Sequence, residues 1–506
     1  MRRIMVRHAL ALLFLAVPLS GEGAIRDAGD YLEKNVVTAK LKNGITVVLL
    51  NRGYAPVLAF EVAFRVGSVD ESYRTAGAAH LLEHMLFKGT ERIGTKDFGR
   101  ERPLLGRIEA VGETIDRLKL TDPGNLMLPG LEKELARLQE EHARYVAPSP
   151  YDVIYTGQGG VGLNASTSRD RTGYYVQLPA SKLDLWAKIE SERLIQPVFR
   201  EYYLERSNVV QERLMRYDSI GTGLLFETFL AQAFLAHPYR HPIIGWRSNI
   251  PYLSLAEVRR FFREYYIPSR MTITIVGKQD VRETLGVVRK YFERIESRPD
   301  PAPVSVAEPR PLGERRVSVH FESSPYLVVG WHKPAFPSRD NFTCEVIAEL
   351  LTGGKSSRLY RSLVIDRRIA SSVSAWDSAP GSRYGNLFTI FAAPMSPHAP
   401  EDLERALYEE IDRFFAGVTA EELRGVVNRI ESEMVFGLAT NRGLASTLSY
   451  YQTVHGDWRY AATYLDMIKG VTVEDIRAMK DAYFTPRNRT VAILYDSRAT
   501  AGEVTR

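Results

Sequence analysis

The sequence predicts an α+β protein: two homologous α/β-sandwich domains in tandem, each a sheet packed with helices. Three observations point there. First, "LSLAEVRRFFREYYIPSRMTITIVG" (253–277) aligns without gaps to "VTVEDIRAMKDAYFTPRNRTVAILY" (471–495). Each copy opens on a Ser or Thr with an acid three positions on, runs through an amphipathic helix, breaks at a Tyr-aromatic-x-Pro step and ends in a strand. Second, Pro299, Pro301, Pro303, Pro309 and Pro311 mark 295–313 as an extended linker between the halves. Third, 506 residues are too many for one ordinary domain.

The elements follow in order. Residues 1–23 read as a signal peptide. Arg2, Arg3 and Arg7 precede an apolar run at 9–19 too short to span a bilayer, and Gly21 and Gly23 offer small residues for cleavage. This predicts a periplasmic or secreted protein with no stable membrane span after cleavage. The N-terminal domain is expected over 24–294. It starts with a β-hairpin at 36–52 turning at Lys42-Asn43-Gly44, followed by a buried strand at 57–68. A helix should then run through "GAAHLLEHMLFKG" and end at Gly89. Residues 101–147 are charged and amphipathic, broken once at "TDPGN", and read as an inserted helical hairpin. The glycines at 155–178 suggest a mobile loop leading into a strand. They form no phosphate loop, because no Gly-Lys-Ser/Thr follows. The C-terminal domain is expected over 314–506.

Composition narrows the function. The chain is 45% hydrophobic and 25% charged with a net charge of +5, so nothing suggests a nucleic-acid partner. The single cysteine, Cys344, allows no intramolecular disulfide and lies in a helix-like run, where it should act as a buried small hydrophobe.

The chemistry concentrates in "HLLEH". On a helix, His80 and His84 lie one turn apart on one face and can hold one ion between two imidazoles. Glu83 is placed to reach a water on that ion without ligating it. A catalytic zinc needs three protein ligands and an open position, so a third must come from elsewhere. In "LERSNVVQERL" (204–214), Glu205 and Glu212 fall on one helical face two turns apart. Either could ligate, and the other could hydrogen-bond a ligating imidazole.

Four stretches in order then resemble one family. "HLLEHMLFKGT" resembles the inverted zinc-binding motif of the pitrilysin/insulinase metallopeptidases, the inverzincins. "LNASTSRDRTGYY" (163–175), "LERSNVVQERL" and "LTGGKSSRLYRSLV" (351–364) are similar to three further family segments. The resemblance implies Zn2+ bound by His80, His84 and Glu212, with Glu83 as general base and Glu205 supporting the site. It implies that Asn164, Ala165, Ser166 and Thr167 line an edge strand where substrate adds as a β-strand. It further implies an endopeptidase acting on peptides or unfolded polypeptide. A chain of this length would be half of a clamshell, pairing as a homodimer or with a related subunit in a heterodimer. Non-catalytic scaffold subunits of such complexes are the alternative, and an amide hydrolase of non-peptide substrates a third. Three features depart from the family pattern. The span from His84 to Glu212 is long, which the hairpin explains as an insertion. Asp170 stands where Glu is usual. The Arg and Tyr that the family's second half presents to substrate have no clear match: Arg383 and Tyr384 are adjacent and should point in different directions on an extended strand, which leaves open whether this chain or a partner supplies those groups.

Overall fold

The structure is a computed structural model describing residues 23–498. The signal-like segment, all but its last residue, lies outside the described residues, as does the chain beyond 498.

Two sheets organise the molecule. The first has six strands in the order β1-β2-β6-β3-β5-β4 and the second five in the order β7-β11-β8-β10-β9. The strands of the first are β1 (Val36–Lys40), β2 (Thr46–Asn51), β3 (Val57–Phe64), β4 (Val161–Thr167), β5 (Thr172–Pro179) and β6 (Met271–Gly277). Those of the second are β7 (Arg315–Phe321), β8 (Tyr326–Lys333), β9 (Ala370–Ala379), β10 (Asn386–Pro394) and β11 (Arg489–Asp496). β6 pairs parallel with β2 and antiparallel with β3. β11 does the same with β7 and β8. Hence β2, β6, β3, β5 and β4 correspond in position and sense to β7, β11, β8, β10 and β9, and β1 is extra. The aligned repeat is this correspondence at residue level. Ser254 and Thr472 cap their helices by accepting from the amides of Glu257 and Asp475. In both copies a 3₁₀ turn starting at proline, Pro268–Arg270 or Pro486–Asn488, leads into the central strand.

Local chemistry explains the hairpin. β1 and β2 pair from Val36↔Leu50 to Lys40↔Thr46. Gly44 turns the chain at φ +104°, a conformation costly for any side chain with a Cβ. The expected loop is a short turn at 158–160, and it leads into β4, which starts at Val161. The inserted hairpin forms helices Phe98–Thr121 and Leu128–Ala143.

The halves exchange helices. Helix Gly221–Ala233 packs on β7 and β11 of the second sheet, and helix Asn441–Tyr450 packs on β3 and β6 of the first. Leu225 and Phe229 meet Val328 and Leu494 in one buried cluster. Leu444 and Leu448 meet Val48, Leu50 and Val276 in the other. Residues 296–314 form neither helix nor strand. They are nevertheless anchored: the Glu308 carboxylate accepts the backbone amides of Leu235, Ala236 and His237 at 2.7–3.0 Å.

Asp170 and the Arg383 loop find their role at the junction between halves. Asp170 accepts from the Tyr239 hydroxyl (2.6 Å) and from the amides of Ser382 (2.7 Å) and Arg383 (3.2 Å). The Arg383 side chain, 5% exposed, lies against Asp70 at 3.2 Å. Cys344 is buried, and burial pushes its thiol up to about 12. Among the described residues no helix is long and apolar enough to cross a membrane.

Candidate metal centre

The motif helix spans Ala78–Met85 and buries Ala78, Ala79, Leu81, Leu82 and Met85 against the first sheet. That apolar face is why "AAHLLEHM" folds as a helix here, and it leaves His80, Glu83 and His84 on the other side. The Glu71 carboxylate, itself buried, accepts the amides of Gly77 (2.9 Å) and Ala79 (2.7 Å) and fixes the helix start. The helix does not reach Gly89 as its sequence suggests. It stops at Met85, and Phe87 and Lys88 turn more tightly, donating to the carbonyls of His84 and Met85. The buried Arg200 draws the following carbonyls away by donating to those of Lys88, Thr90 and Ile93 at 2.6–3.2 Å.

A second helix, Tyr202–Arg213, lies alongside and supplies both glutamates. Glu212 Oε2 is 3.7 Å from His80 Nε2 and 3.7 Å from His84 Nε2. The ligand atoms of His80, His84 and Glu212 all lie within 4.8 Å of one another. Glu205 takes the other side of His84, with Oε2 3.3 Å from Nδ1. Glu205 also accepts from Lys88 (2.8 Å) and Asn208 (2.9 Å), and Lys88 reaches on to Glu201 (2.9 Å). With Glu205 on Nδ1, the neutral His84 ring is held as the tautomer whose Nε2 lone pair faces Glu212. Spacing along the helix left the two glutamates equivalent. Their contacts differ because the two helices cross, so only Glu212 meets both imidazoles.

Electrostatics follow from burial and neighbours. Burial, with His84 and Arg216 nearby, brings His80 down to about 3, so its imidazole is neutral. Burial opposes ionisation of Glu205, but the hydrogen bonds from His84 and Lys88 outweigh it and hold the carboxylate at about 2. Burial also pulls His84 down, and the hydrogen bond and charge of Glu205 reverse that. Glu83 is raised by burial, partly offset by the Thr167 hydroxyl, which donates to Oε2 at 2.5 Å. Two imidazole nitrogens and one carboxylate suit zinc, which takes nitrogen and oxygen donors in a four-coordinate shell. Among the described residues this is the one His/Cys/Asp/Glu group with ligand atoms that close together.

Asn164, Ala165, Ser166 and Thr167 lie on β4, an outer strand of the sheet that pairs only with β5. Thr167 is committed to Glu83, and Asn164 Oδ1 accepts the amide of Ala165. Asn164 lines a cavity of about 310 Å3 with Glu83, His84, Lys88 and Glu205. Sequence reasoning missed Lys88, Glu71 and the bond between Thr167 and Glu83. Lys88 was findable, since it lies one helical turn beyond His84. Glu71 sits in a loop, and no periodicity reveals it.

Comparison with known proteins bears on the family. Residues 46–106 and 155–246 match the model of the insulinase family (peptidase family M16), and residues 252–430 match its companion, the peptidase M16 inactive domain. The chain belongs to the insulinase (M16) family. The zinc protease PqqE of Helicobacter pylori is 25% identical over 98% of this chain and all of its own length. An uncharacterized zinc protease of Streptomyces coelicolor, SCO5738, is 24% identical over 89% of this chain and 88% of its own. The crystal structure of a protease from Helicobacter pylori superposes with a TM-score of 0.76 at 23% identity, covering 91% of this chain and 99% of that one. The periplasmic protease PqqL from Escherichia coli gives 0.69 at 16% identity, covering 93% of this chain but 48% of its own. The shared fold is the family's two-domain arrangement.

Proposed function

We propose that this chain is a zinc-dependent endopeptidase that cleaves peptides or unfolded polypeptide segments. The observation that carries the reading is the convergence of His80, His84 and Glu212 with Glu83 beside them, next to an outer strand. Zinc held by those three residues would supply a Lewis acid and a water of lowered pKa. Glu83 would be the general base beside that site, positioned to accept a proton and deliver it to the leaving amine. Thr167 orients the Glu83 carboxylate. Glu205 and Lys88 hold His84 in its ligating tautomer. β4, with Asn164 to Thr167, offers backbone hydrogen bonds to an extended substrate, which suits weak sequence preference.

The protein works in the periplasm or outside the cell, in keeping with the basic and apolar N-terminal segment. It acts as a dimer, with itself or with a related subunit. Two observations favour pairing: the chain aligns with half of the PqqL length, and Arg383 is held against Asp70 rather than free for substrate. A non-catalytic subunit would have no need of the complete residue set around His80.

The test is to purify the chain, measure bound zinc, and follow an unstructured fluorogenic peptide with and without a chelator. Glu83→Gln is expected to keep zinc and lose turnover by about 10²–10⁴-fold. Cleavage by Glu83→Gln at the parent rate refutes the assignment. Sizing the protein alone and with a related subunit tests the dimer.

A further inference from the structure

Most of the inserted hairpin, from residue 107 on, lies outside the family match, which breaks off at 106 and resumes at 155. The hairpin contacts the glutamate helix directly, and it reaches the segment just after the histidine helix through Arg200. The helix Tyr202–Arg213 turns Glu205 and Glu212 toward the motif helix and its opposite face, with Tyr203, Arg206 and Val210, toward the hairpin.

Three contacts tie that opposite face down. Arg206 grips Asp116 with two parallel bonds, Nη1 to Oδ2 at 2.6 Å and Nη2 to Oδ1 at 2.8 Å, and Nη1 also donates to the Leu253 carbonyl. Both partners are nearly buried, at 9% and 8% exposure, where a bidentate pair fixes direction as well as distance. The Tyr203 ring sits in a notch at Gly112, where a Cβ would fall 2.0 Å from Tyr203 Cζ. The Tyr203 hydroxyl donates to the Glu109 carbonyl at 3.2 Å. At the hairpin base, Glu101 accepts from Arg200 (2.6 Å) and lies 2.9 Å from His142 Nε2. The same Arg200 holds the carbonyls just after the motif helix. One rigid element therefore grips the exit of the histidine helix at one end and the glutamate helix at the other.

We propose that the hairpin is a strut that sets the separation of the two metal-bearing helices, with Asp116 and Gly112 as positioning residues for the ligand Glu212. This rests on the zinc reading above. A buried ion pair adds little net stability, because desolvation offsets attraction. Its contribution here is geometric: it fixes where Glu212 is presented. A spacer needs neither a buried bidentate pair nor a notch that only glycine fits.

The experiment titrates zinc into metal-free protein against a chromogenic chelator, and records the visible spectrum of the cobalt-loaded form. Asp116→Asn removes the charge pair, and Gly112→Ala displaces Tyr203. Both are expected to weaken zinc about 10-fold and to change the cobalt spectrum, with kcat falling and KM kept. The paired Asp116→Leu/Arg206→Met variant restores packing without the directed bonds, and should still weaken zinc by about 3–10-fold. Each single variant decides alone if the other does not fold. Folded single variants with lowered melting temperature but parental zinc affinity and cobalt spectrum overturn the strut. A parent that binds no zinc overturns the function proposed above, and the strut with it. A parent that binds zinc as tightly as Asp116→Asn overturns the strut alone.

Discussion

Glu205→Gln is the sharpest probe of the metal centre. The glutamate touches His84 at 3.3 Å, Lys88 at 2.8 Å and Asn208 at 2.9 Å. Glutamine keeps the shape, but one acceptor oxygen becomes an NH2 that faces a donor. Either His84 Nδ1 or Lys88 then loses its partner, and both lose the negative charge. Such partners of ligating histidines are typically worth 10–100-fold in metal affinity, or about 1.4–2.8 kcal/mol. The carboxylate here is shared with a lysine, and the hydrogen bonds that hold it at about 2 are strong, so the loss should lie toward the upper end. The assay is zinc competition against a chelator of known affinity, with turnover measured at limiting and at saturating zinc. Turnover should recover in part as zinc is raised. Glu201→Gln is the control: it touches Lys88 but not His84, and should shift affinity by less than about threefold. Zinc binding by Glu205→Gln within twofold of the parent would refute the orienting role. Equal losses in the two variants would show that bulk charge, rather than the His84 tautomer, governs the site.

Three further outcomes are expected. Thr167→Val removes the hydroxyl that favours ionised Glu83, so the Glu83 pKa should rise and the acid limb of the pH–rate profile move to higher pH; an unmoved limb counts against Glu83 as the base. Glu345 is raised by burial, with Asp377 nearby, to about 8 from an ordinary 4.5, and it accepts the Tyr464 hydroxyl. The folded chain thus holds a proton that the unfolded chain releases between those values, so this site costs stability as pH rises from 4.5 through 8. Glu345→Gln should flatten the decline in melting temperature over that range. Cys344, with its thiol near 12 and buried, should resist a maleimide at pH 8 in the native protein and react once per chain after denaturation.

The sequence exposed the repeat because capping and strand patterns are local, so residues 253–277 and 471–495 announce the same unit in both halves. It paired His80 with His84 for the same reason. It could not rank Glu205 against Glu212, because that depends on how two helices cross rather than on periodicity along one. It overran the motif helix by four residues, since Arg200, more than a hundred positions away, draws off the carbonyls that would continue it. The roles of Glu71, Asp116 and Asp170 were invisible for a related reason. Each residue is a lone acid whose partners are backbone amides at no helical spacing, an arginine on another helix or a loop of the other half. Asp170 was noticed only as an oddity, and its shorter side chain takes three hydrogen bonds at the junction.

The exchange of helices between the halves has a consequence for how the chain comes apart. Each sheet has one face covered by a helix encoded in the other half, so cutting within 296–314 would not release two autonomous domains. Each fragment would expose Val48, Leu50 and Val276, or Val328 and Leu494, to water, and the two would be expected to reassociate rather than stay apart. The arrangement is that of a swapped dimer whose two protomers have been joined into one polypeptide. Its linker acts by keeping the partners at high effective concentration, and the whole chain should melt in a single transition.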